Sequence, residues 1–209
     1  MYIPAFNRVA DRNKINAFIE AHGFATIVTQ KNGAPWASHL PVLLDDNAEV
    51  HGTLRSHMAR ANEQWRHFTP EQEVLCIFQG PHAYISPSWY VMQHTVPTWN
   101  YTAVHVYGVP TLIEDPSALK QIVYDTTKQY ESPMPKPWAI PLSEQEFDAM
   151  CKAIVGFKIE ITRVEAKFKL GQNRAQEDQA SMLRALQNAP DTASRELADF
   201  IVKEGVERE

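Results

Sequence analysis

The stretch Gly80–Gly108, GPHAYISPSWYVMQHTVPTWNYTAVHVYG, decides how the chain is read. Trp89 and Trp99 lie ten residues apart, each with a tyrosine close by. Ala83–Tyr90 and Trp99–Tyr107 are rich in aromatic and β-branched residues, which predicts two strands. Pro87 and Pro97 limit the pairing, because proline cannot donate to a ladder. The connection Val91–Pro97 is short, so a hairpin is the simplest geometry. Aromatic side chains beside Ser86, Ser88, Thr98 and Asn100 suit a flat, partly polar ligand. They equally suit an ordinary barrel corner, and both readings stand at this point.

Working outward, Met1–Phe6 reads as an extended arm, with Pro4 discouraging helix. Asp11 can cap a helix over Arg12–His22, stopped by Gly23. Ala25–Gln30 and Ala37–Leu44, joined across Lys31-Asn32-Gly33, form a hairpin. Glu49–Arg55 alternates as a half-buried strand, and Val74–Phe78 is apolar on both faces, as a central strand is. Ser56–Phe68 is polar and helical in spacing. Ser117–Tyr130 is a helix, Ser132–Pro141 with its four prolines an extended connection, and Ser143 with Glu146 a capping box. In Lys158–Leu170 the apolar phase changes: Ile159 and Ile161 share one face, but Val164, Ala166, Phe168 and Leu170 share the other. That slip predicts a bulge or bend near Thr162-Arg163. Amphipathic helices over Ala175–Asn188 and Ser194–Glu204 follow, separated by Pro190. Six or seven strands with hairpin spacing and scattered helices predict a mainly β (α+β) chain, a closed and mostly antiparallel barrel with helical additions. The expected organisation is a barrel domain over residues 1–174 and a C-terminal helical extension over 175–209.

The 209 residues are 44% hydrophobic, enough for a real core. Net charge is −5, and the segment Ala175–Glu209 carries eight Asp/Glu against four Lys/Arg. That balance argues against direct reading of nucleic acid. Cys76 and Cys151 stand alone, which fits a reducing compartment. The N-terminus lacks a basic-plus-apolar signal region and no apolar run approaches membrane length, so a cytoplasmic protein with no membrane contact is expected.

Two segments could carry chemistry. Ser56–Asn62, SHMARAN, follows a strand and offers Ser56, His57, Arg60 and Asn62 as donors for phosphate oxygens; it also reads as an ordinary capped surface helix. Lys167–Arg174, KFKLGQNR, sets two cations on one strand face and then a polar turn, so Lys169, Gln172 and Arg174 could meet a ligand edge or a partner subunit. A solvated strand face is the plainer view. The eight histidines show no HExxH or HxH pairing, and no metal site is expected. No GxSxG motif is present and Ser86 and Ser88 lack an identifiable base.

Taken together, MYIPAF, HMARAN with Trp65 three residues further on, GPHAYISPSWY, VPTWNYTAVHVYG, IVGFKIEI and KLGQNR resemble, in that order, the PaiB family. The resemblance spans about residues 1–187. It implies an FMN-binding split β-barrel akin to pyridoxamine-phosphate-oxidase-like flavoproteins, a homodimer with flavin at the subunit interface. Family members are named as negative transcriptional regulators affecting sporulation and protease production. Carried over by position, Ser38, His39, Leu40 and Pro41 would line the isoalloxazine. His57, Arg60 and Asn62 would hold the ribityl phosphate, with Ser56 assisting. Trp99, Asn100 and Tyr101 would shape the interface, and Lys169, Gln172 and Arg174 would approach the flavin or its phosphate. The chain departs from the family in having Ser56 where glycine precedes the HxARAN histidine, Gly171 where serine precedes QNR, and a shortened Val91–Thr95 segment.

The resemblance implies an FMN-binding protein that regulates transcription indirectly, through a protein partner or the flavin state of the cell. An FMN-dependent oxidoreductase acting on a small substrate is the alternative, since flavin carries redox chemistry without a protein acid or base. A haem-binding or haem-degrading split-barrel protein is a third, with His39, His57 or His105 as axial candidates.

Overall fold

The computed structural model describes residues 1–46, 51–92 and 94–205. Among the described residues there are eight strands: β1 Arg8–Val9, β2 Phe24–Lys31, β3 Ala34–Pro41, β4 Leu43–Asp45, β5 Thr53–Ala59, β6 Val74–Ile85, β7 Thr98–Ile113 and β8 Ile154–Lys169. Five α-helices accompany them: α1 Arg12–Ala21, α2 Pro116–Glu131, α3 Glu144–Cys151, α4 Gln176–Gln187 and α5 Thr192–Glu204. The sheet runs β3-β2-β6-β7-β8-β5-β4, with β1 on β8. The closed barrel expected from strand spacing is corrected here: β3 and β4 end the hydrogen-bonded path and do not pair, although only Val42 separates them. A strand pair joined through one residue has no room for a hairpin turn, so the path stays open between them.

Local sequence chemistry explains the elements. Asn32 (φ 53°) and Gly33 (φ 79°) form a two-residue hairpin turn that pairs Lys31 with Ala34. Both central residues need positive φ there, which Asn-Gly supplies at little cost. Asp11 accepts the backbone N–H groups of Asn13 and Lys14 at the start of α1, and Asp115 those of Ser117 and Ala118 at the start of α2. Ser143 and Glu146 form the expected capping box.

The chain divides into two compact units. One comprises residues 1–15, 79–104 and 165–209, the other 16–78 and 105–164. Helices α4 and α5 therefore belong to the first unit, together with the N-terminal arm and parts of β6, β7 and β8. Two of the dividing points, those in β6 and β8, coincide with changes of side-chain phase, whereas β7 keeps its even-numbered residues buried on both sides of its own. Along β8, Val155, Phe157, Ile159 and Ile161 are buried, Thr162 and Arg163 are both exposed, and Ala166 and Phe168 are buried. Along β6, burial passes from Val74, Cys76 and Phe78 to Ala83 and Ile85. Period-two alternation changes phase in this way only through an extra residue or by burying the strand's opposite face.

In the second unit, Ile27, Leu54, Met58, Phe78, Phe157 and Ile159 form the sheet side of the core, with Ile19 of α1 and Ile122 of α2 buried among the helices. In the first unit, one sheet face packs on α4 and α5: Phe168 meets Phe200 edge-on at 5.1 Å, and Leu170, Met182, Leu186, Leu197 and Ile201 are buried. The other face of that sheet carries His82 and Tyr84 of β6, Trp99 and Tyr101 of β7, and Lys167 and Lys169 of β8.

The helical spacing expected over Ser56–Phe68 is also corrected. Residues Thr53–Ala59 are strand, with Leu54, Ser56 and Met58 buried at a period of two. The apolar partners Leu54 and Met58 fix this phase, and Ser56 is carried inward between them. The only helix in that region is the 3₁₀ turn Glu63–His67. The strand expected from Glu49 begins at Thr53; Glu49 and Val50 lie outside the described residues. The expected strand Ala83–Tyr90 stops at Ile85, and Pro87–Trp89 is a 3₁₀ turn in which Ser86 accepts the N–H of Ser88. Proline at the first helical position favours the turn over a continued ladder.

Candidate functional site

Of the residues singled out from the sequence, eight fall in the second unit. Cross-strand pairing sets Ser38 opposite Ile27 and Leu40 opposite Ala25, so both point to the inner face, while His39 opposite Thr26 points outward. His39 Nδ1 lies 3.0 Å from Thr26 Oγ1, and its ring stacks on exposed Phe24. Asn62 Nδ2 donates to Ser38 Oγ at 2.8 Å, which brings the SHLP and HMARAN segments side by side. Ser56 points inward and donates to the carbonyl of Pro41 at 2.6 Å. Ser38 is thus bonded to Asn62, and Pro41 to Ser56.

His57 is not part of that group. It shares the face of Arg55, whose guanidinium pairs with Asp45 and reaches Asp125 of α2 at 3.0 Å. On a strand, His57 and Ser56 face opposite ways. His57 Nδ1 is buried without a partner, and burial lowers the imidazole pKa, so the ring is neutral near pH 7. Arg60 spends Nε on the carbonyl of Lys152 and Nη2 on that of Ile154, both at 2.8 Å, leaving Nη1 for a ligand.

The first unit holds the other six. Lys169 Nζ donates to Thr98 Oγ1 and, at 2.6 Å, to the carbonyl of Trp99. Its pKa is lowered, chiefly by burial and further by the charges of Lys167 and Arg174. Arg174 lies over the Tyr90 ring (4.6 Å) and donates to Thr95 Oγ1 at 3.0 Å. Among the described residues neither cation pairs with a carboxylate. Lys167, almost wholly buried, sits between the rings of Tyr2 and Tyr101 at 5.6 and 4.9 Å. Trp99 is 54% exposed and flanked by His82 and Tyr84. Asn100 instead faces the helices, donating to Met182 Sδ at 3.4 Å. Gln172 is consumed locally, accepting from Leu170 N and donating to the Phe168 carbonyl. Trp99, Tyr101 and Lys169 therefore share the open face, whereas Asn100 and Gln172 serve the fold.

Sequence reading missed a buried polar cluster behind Ser38. Gln64, fully buried, donates to the carbonyl of Ile27 (2.9 Å), to Thr29 Oγ1 (3.2 Å) and to the carbonyl of Trp36 (3.2 Å). Thr29 Oγ1 also lies 3.0 Å from His67 Nδ1. The one signal available in the sequence was the Asn62-x-Gln64 spacing of an N-cap and the residue that it caps. Asp178 was missed as well; buried in α4, it accepts the N–H groups of Val91 and Met92 and fixes the start of the 91–97 connection.

Residues 1–163 match the family described as "Putative FMN-binding domain". The chain belongs to this family. It is 37% identical over 203 residues, covering 96% of both chains, to the Bacillus subtilis protein named "Protease synthase and sporulation protein PAI 2", which makes it a PaiB-family protein. An uncharacterized protein of Emericella nidulans is 30% identical over 207 residues, with 81% of this chain and 82% of that protein covered. Among solved structures, the FAD and heme binding protein of Mycobacterium smegmatis superposes with a TM-score of 0.60 at 14% identity, over 84% of this chain and 80% of that one. The flavocytochrome Anf3 of Azotobacter vinelandii gives 0.59 at 13%, over 80% and 72%. These likenesses establish the fold, the mainly β split-barrel class with peripheral helices that the motifs implied.

FMN is the cofactor by which the family is described, and the donor chemistry of this chain fits it. Ser38 and Asn62, with the spare nitrogen of Arg60, can hold phosphate and hydroxyl oxygens in the second unit. In the first, Lys169 and Arg174, which pair with no carboxylate among the described residues, and exposed Trp99 suit an anionic, planar group. Among the described residues no group of three metal-ligating side chains converges, and no helix is long and apolar enough to cross a membrane.

Proposed function

We propose that this FMN-binding, PaiB-like protein is a homodimer with flavin at the subunit interface, acting in the cytoplasm as a flavin-linked negative regulator of transcription. The observation that carries the flavin assignment is the Ser38–Asn62 contact, which joins the two motif segments expected to hold the isoalloxazine edge and the ribityl phosphate. The uncovered aromatic face with Tyr84 and Trp99 supports pairing of two chains, since such surface is costly to leave in water. The regulatory part draws on the PAI 2 relative, named for protease synthesis and sporulation. Its action is indirect, through a protein partner or the cell's flavin pool, because the net charge of −5 opposes docking on the phosphate backbone of DNA.

The test is a visible absorbance and fluorescence titration of purified protein with FMN, alongside its mass in solution. Saturable binding at one flavin per chain in a dimer is expected. A folded protein that takes up no FMN would overturn the assignment, and a salt-resistant, sequence-specific shift of promoter DNA would overturn the indirect route. The second reading, an FMN-dependent oxidoreductase of the pyridoxamine-phosphate-oxidase-like class, is favoured by Lys169, a cation without a carboxylate beside Trp99 that could seat a small anionic substrate. FMN, when bound, supplies the redox chemistry. Reduction of the bound flavin by a nicotinamide donor, reversed by a small acceptor, would select this reading over the first.

A further inference from the structure

Gln64, Thr29 and His67 form a buried chain with an unusual hydrogen-bond balance. Thr29 Oγ1 accepts from Gln64 Nε2 and contacts His67 Nδ1, while Gln64 Oε1 and His67 Nε2 are buried with no partner. Natural proteins rarely keep such atoms unless they serve something. The chain has one task visible in the geometry. It holds the 3₁₀ turn Glu63–His67 against β2 and β3, and the cap of that turn is Asn62, whose Oδ1 accepts from Gln64 N at 3.1 Å while its Nδ2 donates to Ser38.

A neutral His67 fits this arrangement as the Nδ1–H tautomer, which donates to Thr29 Oγ1 and leaves Nε2 without a hydrogen. A protonated ring does not. Both nitrogens then carry hydrogen, Nε2–H has no acceptor, and the charge is desolvated. The facing groups do not rescue it: Lys31 opposes the charge, Glu63 favours it weakly, and Thr29, Gln64 and Trp36 are neutral. The ring can accept a proton only by leaving its place, and the turn moves with it.

We infer that Gln64 and His67 are positioning residues for the flavin site, forming a latch that holds Asn62 against Ser38 while His67 is neutral and releases it when His67 is protonated. This rests on the reading that Asn62 contacts FMN. FMN affinity therefore falls in acid through His67, beyond whatever the ligand's own phosphate contributes near its second pKa of about 6.

The experiment measures the FMN dissociation constant from about pH 5 to pH 8 for wild type and His67→Gln. His67→Gln keeps a neutral donor and acceptor of similar size, so its profile contains the ligand's titration alone. Wild type should lose about tenfold more affinity than His67→Gln across that range. The Trp36 ring meets His67 edge-on at 5.4 Å, so protonation should quench its fluorescence in the flavin-free protein, a signal absent from Trp36→Phe. Superimposable pH profiles for wild type and His67→Gln, with FMN bound, overturn the latch and leave the flavin reading intact. A Trp36 signal that titrates without a matching change in affinity overturns it equally. No binding at any pH overturns the flavin reading and the inference together.

Discussion

Replacing Asn62 separates the folding role of this residue from its role toward the ligand. Its side chain caps the 3₁₀ turn and bonds Ser38 Oγ. Asn62→Ala removes both contacts, about 1 kcal/mol for the cap and about 1 kcal/mol for the half-buried hydrogen bond, so the urea midpoint should report a loss of about 2 kcal/mol. Asn62→Asp is the discriminating change. Aspartate caps as well as asparagine and can accept from the Ser38 hydroxyl, so stability should stay within about 0.5 kcal/mol of wild type. It also sets a negative charge where the phosphate is proposed to lie. At ~5 Å and an effective dielectric of ~20, the repulsion is about 3 kcal/mol per unit of facing charge, and solvent exposure reduces it to roughly half. FMN affinity should fall by about tenfold to a hundredfold, measured by flavin fluorescence quenching at low ionic strength. The difference should shrink as salt is raised, because the pair is partly exposed. An Asp variant with wild-type stability and wild-type affinity would refute the placement of phosphate beside Asn62, whatever the alanine variant does.

Other expectations are independent of one another. Gly171 has φ +89°, and an added Cβ would lie 3.2 Å from Met182 Cε; Gly171→Ser should cost about 1–3 kcal/mol in urea unfolding. Asp178→Ala strands the N–H groups of Val91 and Met92 and should cost about 2 kcal/mol and speed proteolysis in the 91–97 connection, whereas Asp178→Asn should cost less than half as much. Leu197, wholly buried in α5, should cost about 2–5 kcal/mol when cut to alanine. Stability should depend on pH through His57 and His67, whose pKa values are lowered chiefly by burial. Below about pH 6.5 the unfolded chain binds protons that the folded chain resists, so stability is full above that pH and falls as pH drops through the folded values. Urea midpoints of wild type and a His57→Gln, His67→Gln double variant should diverge in acid and agree above pH ~7.

Much of the architecture was legible because it rests on periodicity and capping. The Asn32-Gly33 turn, the Asp11 and Ser143 caps and the phase change at Thr162-Arg163 each depend on local chemistry written in adjacent residues. The phase change proved more informative than a bulge signal, since β8 passes from one compact unit to the other just beyond it. What local reading could not resolve was Ser56–Asn62. Its polar residues recur at spacings compatible with a helix, yet Leu54 and Met58 have core positions to fill four residues apart on one strand face. Burial of these two outweighs the helical appearance of the residues between and after them. The open sheet path was equally invisible, because spacing alone does not say whether the first and last strands of a curled sheet meet.

The candidate site was readable as a set of residue types and not as a geometry. The motifs named Ser38 and Asn62, and the fold joins them; they also named His57, and strand alternation turns it away toward α2. A phosphate gripped by His57, Arg60 and Asn62 together would require three side chains on one side of a strand end, whereas Arg60 is anchored to the carbonyls of Lys152 and Ile154. The residues that support the Ser38–Asn62 contact are Gln64, Thr29 and His67, and nothing about their sequence neighbours marks them, because their partners come from β2 and β3, some 25 to 40 positions away. If phosphate recognition depended on the motif alone, a His57→Ala, Arg60→Ala pair would abolish it and Gln64→Leu would spare it. The structure argues for the reverse weighting: the double variant should lose the contribution of one spare guanidinium nitrogen, about 1.5–3 kcal/mol, while Gln64→Leu strands two backbone carbonyls and frees the turn that presents Asn62. Affinity that collapses in the histidine–arginine pair and survives in a folded Gln64→Leu protein would return the site to the motif.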